Sequence, residues 1–324
     1  MGRAGRGTRR RLSSATVKVW IPHPEGRELL GEVPDGVTVE IAPAPDDLPS
    51  EPDGVRFWVP PFLSQAVAVP LAAKMPDLRV VQLLSAGADV WAGRLPAQVT
   101  LCDARGVHDS STAEWVVAAI LAHLRAFPTY ARAQVAQEWA RDRTIPTDEL
   151  AGKRVLIVGA GSIGAATAAR LAPFEVELTM VARRPRPAEG VYGVADLPRL
   201  LPAADVVVLL VPLTAQTRGL VDARFLAALP DGALLVNAAR GPVVETEALV
   251  AELATGRIAA ALDVTEPEPL PAGHPLWDLP NVLLTPHVAG SVRGLLPRAY
   301  RLVGAQLRRF VAGEPLVNEV VDGY

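Results

Sequence analysis

The amino-acid sequence predicts an α/β protein with doubly wound parallel sheets, and three observations carry this prediction. Short apolar runs that are typical of strands alternate with helix-favouring segments over most of the 324 residues. In the second half these runs are almost continuously apolar, as expected for parallel strands covered on both faces. A glycine-rich turn at 159–164 joins one such run to a helix-like segment. The length suits about two domains.

The first half begins with a basic segment and continues as strands. Residues 1–16 contain five arginines and no acidic residue, so we expect a disordered tail, to which we assign no function. Strand-like runs follow at Val17–Ile21, Val37–Ile41, Val55–Val59 and Val80–Leu84. The Pro- and Asp-rich stretch 42–54 is interpreted as a loop, because strand-like runs continue on both sides. A small open α/β domain is therefore predicted here.

A long apolar helix is predicted at Thr112–Phe127, followed by a polar segment, Ala131–Asp148, that leads to the glycine turn. We interpret this helix as the element that joins two domains. Beyond the turn, strand-like runs lie at Val176–Val181, Asp205–Val211, Ala233–Asn237, Ile258–Asp263 and Asn281–Thr285. Helix-like stretches alternate with them at Leu197–Leu201, Ala223–Leu229 and Glu245–Ala254. Ligands of such sheets bind at the carboxyl ends of the strands.

The glycine turn follows the apolar run Val155–Val158 and precedes the alanine-rich segment Ala165–Leu171. In a dinucleotide-binding turn the first glycine permits the tight bend and the second lets the backbone approach a pyrophosphate. The third lets the helix pack closely on the strand, and the pyrophosphate meets the helix N-terminus. The flanking strand and helix favour this interpretation over a glycine turn with a purely structural role.

The composition narrows the possible classes of protein. Half of the residues are hydrophobic, 21% are charged and the net charge is -3, which suggests neither a polyanion-binding surface nor a disordered chain. The single cysteine, Cys102, excludes an intrachain disulfide and a cysteine-cluster metal site, and suits a reducing compartment. No apolar run approaches the roughly 20 residues of a membrane span. We expect a cytoplasmic protein with no bound metal and no nucleic-acid or membrane partner.

Three polar residues follow the predicted strand ends, namely Arg240, Glu268 and His287. Each alone could be structural: a surface charge, a solvated loop acid and a hydrogen-bonded histidine. Together they suit hydride transfer to or from a carbinol carbon, because a proton must then also reach or leave the oxygen. Histidine performs that task near neutral pH. A neighbouring carboxylate favours its imidazolium form and orients the ring, while an arginine binds a substrate carboxylate or polarises a carbonyl.

The chain resembles the D-isomer-specific 2-hydroxyacid dehydrogenase family over nearly its whole length after the basic tail. The glycine turn carries the resemblance together with Asn237–Gly241, Leu262–Pro269, Leu284–Gly290, Asp103–His108 and Thr112–Glu114. The resemblance implies a Rossmann nucleotide domain, residues 112–294, inserted into a flavodoxin-like substrate domain, residues 17–111 and 295–324, around a cleft. It also implies a homodimer that forms mainly through the nucleotide domains.

The activity that the resemblance implies is D-stereospecific hydride transfer between NAD(P)H and C2 of a small 2-oxo or 2-hydroxy acid, such as glyoxylate or hydroxypyruvate. Arg240 would bind the substrate, His287 would be the acid/base and Glu268 its partner, while Asp263 would contact the nicotinamide side. Backbone amides of Ser85, Ala86 and Gly87 would bind the substrate carboxylate. The implied cofactor-binding residues are Gly159, Gly161, Ser162, Ile163, Gly164, Ala182, Arg183, Arg184, Val211, Pro212, Thr217, Ala238, Ala239, Arg240, Asp263, His287 and Gly290.

One departure from the NAD-type pattern lies at the end of the second strand of the nucleotide domain. Where an acidic residue would bind the adenosine ribose, this chain has Ala182-Arg183-Arg184. An acid there would repel a 2′-phosphate, whereas arginine pairs with phosphate through charge-assisted hydrogen bonds. The sequence therefore predicts a preference for NADP(H), with NAD(H) as a possible cofactor. A solvated basic loop formed by Arg183, Arg184 and Arg186, with either cofactor accepted, is the alternative.

Other functions remain open from the sequence. A phosphite or formate dehydrogenase of the same fold is one alternative, although Glu268 stands where the formate branch has glutamine. A non-catalytic dinucleotide-sensing protein like the family's corepressors is another, because such proteins can keep the three residues. His23, His108, His123 and His274 are interpreted as structural or solvent-facing, with a substrate contact conceivable for His108. Trp139 is expected to pack inside the protein rather than to reach a neighbouring subunit.

Overall fold

The computed structural model describes residues 16–62 and 64–321. The basic tail predicted for residues 1–16 lies outside the described residues, apart from Thr16. The chain divides into two compact units: the first contains the residues up to Val107 and those from Arg293 onward, and the second is His108–Val292. No helix among the described residues is long and apolar enough to cross a membrane.

The first unit is built on a parallel sheet of five strands. Its elements up to the boundary are β1 (Val17–Ile21), α1 (Gly26–Leu29), β2 (Val37–Ile41), β3 (Val55–Trp58), α2 (Gln65–Ala72), β4 (Val80–Gln82) and β5 (Thr100–Cys102). The strand order is β2-β1-β3-β4-β5. Val19 and Phe57 pack into the core on one face of the sheet, and their neighbours Trp20 and Trp58 into the core on the other. Both faces are therefore covered, which explains the apolar strands.

The second unit is built on a parallel sheet of seven strands. Its elements are α3 (Asp109–Leu124), α4 (Phe127–Val135), β6 (Arg154–Val158), α5 (Ser162–Leu171), β7 (Glu177–Ala182), β8 (Val191–Gly193), α6 (Leu197–Leu200), β9 (Val206–Leu209), α7 (Ala223–Ala227), β10 (Leu234–Asn237), α8 (Thr246–Ala254), β11 (Ala259–Leu262) and β12 (Val282–Leu284). The strand order is β12-β11-β10-β9-β6-β7-β8. The order of the strands reverses between β6 and β9, which is where a doubly wound sheet binds its ligand.

The chain returns to the first unit through α9 (Leu295–Ala312). Tyr300, Val303 and Leu307 of this helix are buried against the core that contains β1 and β3. The buried Gln306 side chain donates hydrogen bonds to Gln82 Oε1 at 3.0 Å and to the Val317 carbonyl at 2.7 Å. These contacts satisfy polar groups that would otherwise be buried without partners, and they attach the C-terminal segment to the sheet.

The prediction of an α/β protein with doubly wound parallel sheets is confirmed. Several predicted details were wrong. The helix predicted at Thr112–Phe127 is α3, which begins at Asp109 and ends at Leu124. Ala126 has a left-handed conformation, with φ of 55°, so the chain bends there. Phe127, predicted as the end of the first helix, instead opens α4, which extends into the predicted polar segment as far as Val135. β5 and β8 were not predicted: each has only three residues and, unlike the equally short β4 and β12, neither lies within a longer predicted strand-like run.

The two units differ slightly from the predicted domains. Residues 108–111, predicted in the substrate domain, belong to the second unit, and residues 293–294, predicted in the nucleotide domain, belong to the first. Residues 109–111 form the first turn of α3 and therefore group with the helix that packs in the second unit. Helix α3 lies against α5 and against the sheet core that contains Val155 and Ile157.

Candidate active site and cofactor site

The first and third glycines of the turn at 159–164 are required by the protein's own packing. Gly159 has a φ of 124°, and a Cβ built on it would lie 2.5 Å from the Leu210 carbonyl. A Cβ on Gly164 would lie 2.0 Å from the Gly159 carbonyl oxygen. Gly159 therefore lets the turn approach the residue after β9, and Gly164 lets α5 pack closely on the turn, as predicted for the third glycine.

The second glycine has no such packing reason. A Cβ built on Gly161 would meet nothing within 4 Å, so space is open beside this residue. Helix α5 begins immediately after it, without a side-chain cap and without an acidic residue in its first turn. The N–H groups of Ser162, Ile163 and Gly164 precede the helical hydrogen-bonding pattern and can bind an anion. These features fit the pyrophosphate of a dinucleotide.

A further group of residues predicted to bind the cofactor lies at or after the ends of β7 and β9. Ala182 ends β7 and is followed by Arg183 and Arg184, whose side chains are exposed. Val211 and Pro212 follow β9; the Thr217 hydroxyl donates to the Pro212 carbonyl at 2.6 Å and accepts from the Thr214 N–H at 2.8 Å. β7 and β9 lie on the two sides of β6 in one parallel sheet, so their carboxyl ends share an edge.

Arg240 lies in a turn that is shaped by a buried asparagine. The side chain of Asn237 accepts a hydrogen bond from the Ala239 N–H at 3.0 Å and donates one to the Arg240 carbonyl at 3.2 Å. A Cβ on the next residue, Gly241, would lie 1.9 Å from the Thr265 carbonyl oxygen. Glycine thus allows the turn after β10 to touch the loop after β11. Three predicted site residues lie in this turn, namely Ala238, Ala239 and Arg240, and the Arg240 side chain is half-buried.

His287 and Glu268 form the central pair of the site. His287 Nδ1 lies 2.6 Å from Glu268 Oε1, and both side chains reach solvent. An ionised carboxylate can only accept, so Nδ1 carries the hydrogen in this bond. Nε2 is then the ring nitrogen that can exchange a proton with a substrate. The pair brings together residues from the segments after β11 and β12. Their roles as an acid/base and its partner stay a prediction.

The loop that carries His287 is held by Asp263, a buried residue directly after β11. The Asp263 carboxylate accepts hydrogen bonds from the Thr285 hydroxyl at 2.5 Å and from the N–H groups of Val288 and Ala289, each at 2.9 Å. The Asp263 carbonyl accepts from the His287 N–H at 2.7 Å. His287 has a φ of 55°, a costly conformation for this residue type that these bonds maintain. Asp263 is thus a positioning residue, a role that sequence reasoning missed.

Gly290 and the Ser85–Gly87 turn complete the set of predicted positions. A Cβ on Gly290 would lie 2.7 Å from His108 Nδ1, so a larger residue there would displace this histidine. Ser85, Ala86 and Gly87 lie in the first unit, in the turn that follows β4. The Ser85 hydroxyl donates to the Gly87 carbonyl at 2.8 Å and so holds the turn.

The other histidines have structural partners or are partly buried. Burial lowers the pKa of His23, whose Nδ1 lies 3.0 Å from the Tyr300 hydroxyl. Burial also lowers the pKa of His123 in α3. His274 accepts a hydrogen bond from the Leu276 N–H at 3.3 Å.

Trp139 is 94% exposed, so the expectation that it packs within the chain was wrong. Among the described residues, no group of three or more His, Cys, Asp or Glu side chains could hold a metal ion.

A parallel sheet with a glycine turn at its switch point, and an oriented histidine after another strand of the same sheet, fit a nicotinamide-dependent oxidoreductase. The family model of the D-isomer specific 2-hydroxyacid dehydrogenase, NAD binding domain, matches residues 117–289. The chain belongs to this family, which confirms the resemblance found in the sequence. It transfers a hydride between a nicotinamide dinucleotide and C2 of a 2-oxo or 2-hydroxy acid.

Two relatives named as reductases are similar over most of the chain. A glyoxylate reductase of Thermofilum pendens is 37% identical over 261 residues, which cover 76% of this chain and 76% of the relative. Glyoxylate/hydroxypyruvate reductase B of Citrobacter koseri is 38% identical over 239 residues, which cover 70% of this chain and 73% of the relative.

Solved structures agree with the fold. A D-isomer specific 2-hydroxyacid dehydrogenase from Xanthobacter autotrophicus Py2, in complex with NADPH and MES, has a TM-score of 0.81 at 35% identity and covers 96% of this chain and 100% of that chain. An NADPH-dependent glyoxylate/hydroxypyruvate reductase from Sinorhizobium meliloti, in complex with NADP and sulfate, has a TM-score of 0.81 at 32% identity, with coverage of 96% and 100%.

Proposed function

We propose that this protein reduces small 2-oxo acids of the glyoxylate and hydroxypyruvate type with NADPH, and that a chiral product has the D configuration. The observation that carries the proposal is the His287–Glu268 pair, with Nδ1 and Oε1 2.6 Å apart on a loop held by Asp263. The names of the relatives support the substrate class, since several are glyoxylate or hydroxypyruvate reductases.

Each side chain has one task in the proposed reduction. The bound nicotinamide supplies the hydride that C2 accepts. His287 in its protonated form gives the Nε2 proton to the C2 oxygen and becomes neutral. Glu268 keeps the Nδ1–H bond throughout, so the ring keeps its orientation. Arg240 binds the substrate carboxylate with its guanidinium, and backbone amides of Ser85, Ala86 and Gly87 are proposed to contact the same carboxylate.

The preference for NADPH is proposed from the end of β7. Arg183 and Arg184 are exposed there, and no acidic residue follows the strand where NAD-type proteins have one. Two guanidinium groups beside the adenosine ribose would favour a 2′-phosphate through charge-assisted hydrogen bonds. Structural neighbours solved with NADPH or NADP support this preference. The other predicted cofactor-binding residues are proposed in the same roles, with Asp263 acting through the His287 loop.

Steady-state kinetics with each cofactor tests the proposed function. We expect glyoxylate and hydroxypyruvate to be reduced, with kcat/KM at least about tenfold higher for NADPH than for NADH, which corresponds to one phosphate contact. Methyl glyoxylate is the matched control: it keeps the reactive carbonyl but lacks the carboxylate that Arg240 binds, so it should be a poor substrate. A clear preference for NADH would contradict the cofactor assignment. Turnover of phosphite or formate without turnover of 2-oxo acids would contradict the substrate class.

We also propose a homodimer and a cytoplasmic location. Four large apolar side chains of α4 and the segment after it are exposed, and a monomer would leave them in water. They are Phe127, Val135, Trp139 and Ile145, and Val135 is 86% exposed. The single cysteine is compatible with a reducing compartment.

Light scattering tests the dimer. We expect a solution mass near twice 34.3 kDa. Val135→Glu should shift the protein toward the monomer, because it introduces a charge into the proposed apolar interface. Val67→Glu, at an exposed valine of α2 in the first unit, is the matched control and should leave the mass unchanged. A monomeric wild-type protein would contradict the proposal.

A further inference from the structure

The arginines after β7 differ in what their side chains do. Arg183 and Arg184 are exposed, and Arg186 is partly buried with two hydrogen bonds from its guanidinium. Its Nε donates to Glu189 Oε2 at 2.7 Å, and its Nη2 donates to the Ala160 carbonyl oxygen at 3.2 Å. Ala160 belongs to the glycine turn, so Arg186 links the loop after β7 to the turn after β6. The proposed NADPH preference does not use this link.

The backbone of Arg186 closes the same loop. Its N–H donates to the Val191 carbonyl at 2.8 Å, and the Val191 N–H donates back to the Arg186 carbonyl at 3.1 Å. Gly190 supports this turn with a φ of 70°. The segment 183–185 is therefore held between the end of β7 and a closed loop that contains Arg186.

The side-chain contact with Ala160 also has a consequence inside the glycine turn. In a trans peptide the carbonyl of one residue and the N–H of the next point in opposite directions. Because Arg186 holds the Ala160 carbonyl on one side, the Gly161 N–H is directed to the other side. The space beside Gly161 is open, and this N–H lies next to the first turn of α5.

We propose that Arg186 is a positioning residue for cofactor binding. It directs the Gly161 N–H toward the pyrophosphate, and it holds the segment on which Arg183 and Arg184 meet the 2′-phosphate. The second half of this inference rests on the proposed NADPH preference. The Arg186 and Glu189 side chains are 38% and 63% exposed, and an ion pair this exposed adds little to the stability of the folded chain. The Arg186–Glu189 ion pair therefore matters because it fixes the position of the guanidinium, and not because it stabilises the fold.

Equilibrium binding to the full-length protein without substrate tests the proposal. In fluorescence titrations, Arg186→Gln should raise the Kd for NADPH about tenfold and the Kd for NADH about threefold, because both cofactors have the pyrophosphate and only NADPH has the 2′-phosphate. Hydrogen exchange of the cofactor-free variant should be faster at 159–164 and 183–191. Arg199→Gln is the matched control, since Arg199 also pairs with an acid three residues away, Asp196, and it should change neither Kd.

A direct contact between Arg186 and the 2′-phosphate is the competing explanation, and Glu189→Gln separates the two. If Arg186 bound the phosphate itself, releasing it from Glu189 would tighten NADPH binding. Positioning predicts weaker binding instead, because one anchor is lost. Tighter NADPH binding by Glu189→Gln, or an unchanged Kd for NADH in Arg186→Gln, would overturn the proposal. A wild-type preference for NADH would refute only the proposed cofactor preference, because the NADH titration still tests the orientation of Gly161.

Discussion

His287→Asn is expected to lower kcat for 2-oxo acid reduction by roughly 10²–10⁴-fold, the usual contribution of a positioned acid/base. Asparagine suits this test because it tolerates the left-handed conformation of position 287, so the loop can keep its shape. The variant then lacks only the group that carries the proton. Steady-state kinetics with NADPH measures the loss, and titration of NADPH should give a Kd close to that of the wild-type protein.

The control for this substitution is His274→Asn. His274 accepts a hydrogen bond from the Leu276 N–H, which an asparagine oxygen can also accept. We expect kcat to stay unchanged in this variant. If His287→Asn turned over glyoxylate at the wild-type rate, His287 would not be the proton donor.

Asp263→Ala is expected to lower kcat by about a hundredfold without removing any group that reacts. A displacement of about 1 Å at a reacting centre costs this much. The carboxylate holds the Thr285 hydroxyl and the N–H groups of Val288 and Ala289 on either side of His287. Its removal leaves these donors without their acceptor, at a cost of about 1–3 kcal/mol for each that stays buried. Kinetics and urea denaturation measure the two effects.

A second aspartate separates positioning from stability. Asp222 caps α7 by accepting a hydrogen bond from the Phe225 N–H at 2.8 Å. Asp222→Ala should therefore lower the free energy of unfolding by about 1 kcal/mol, as the loss of a helix cap does. We expect it to leave kcat unchanged. Equal kcat losses in the two alanine variants would mean that Asp263 acts only through overall stability.

Residue patterns predicted much of the second unit. The apolar runs of β6 and β9–β11 and the glycines of the turn can be recognised from local sequence, because a buried strand must be apolar and a tight turn needs a residue that tolerates unusual φ values. β8 was missed because its three residues do not lie within a longer strand-like run, as those of β12 do. The bend at Ala126 was missed for a different reason: alanine favours helices, and tertiary packing overrode that preference.

The candidate site could be predicted as a set of residue types but not as an arrangement. Glu268 and His287 are 19 positions apart on different loops, so no local pattern shows that their side chains meet. The role of Asn237 had a detectable signal, since it is a polar residue at the end of an apolar strand. The exposure of Trp139 had no detectable signal in the sequence, because tryptophan is common both in protein cores and at interfaces.

The sequence by itself determined the family and the parallel-sheet class, and it predicted Arg240, Glu268 and His287 as the residues that carry the chemistry. Only the tertiary structure decided that Asp263 holds the histidine loop, and that Arg186 reaches the glycine turn while Arg183 and Arg184 are exposed. The physical reason is the range of the interactions. Turn geometry and strand burial act on neighbouring residues, whereas a hydrogen bond between loops depends on where a whole sheet brings its strand ends together.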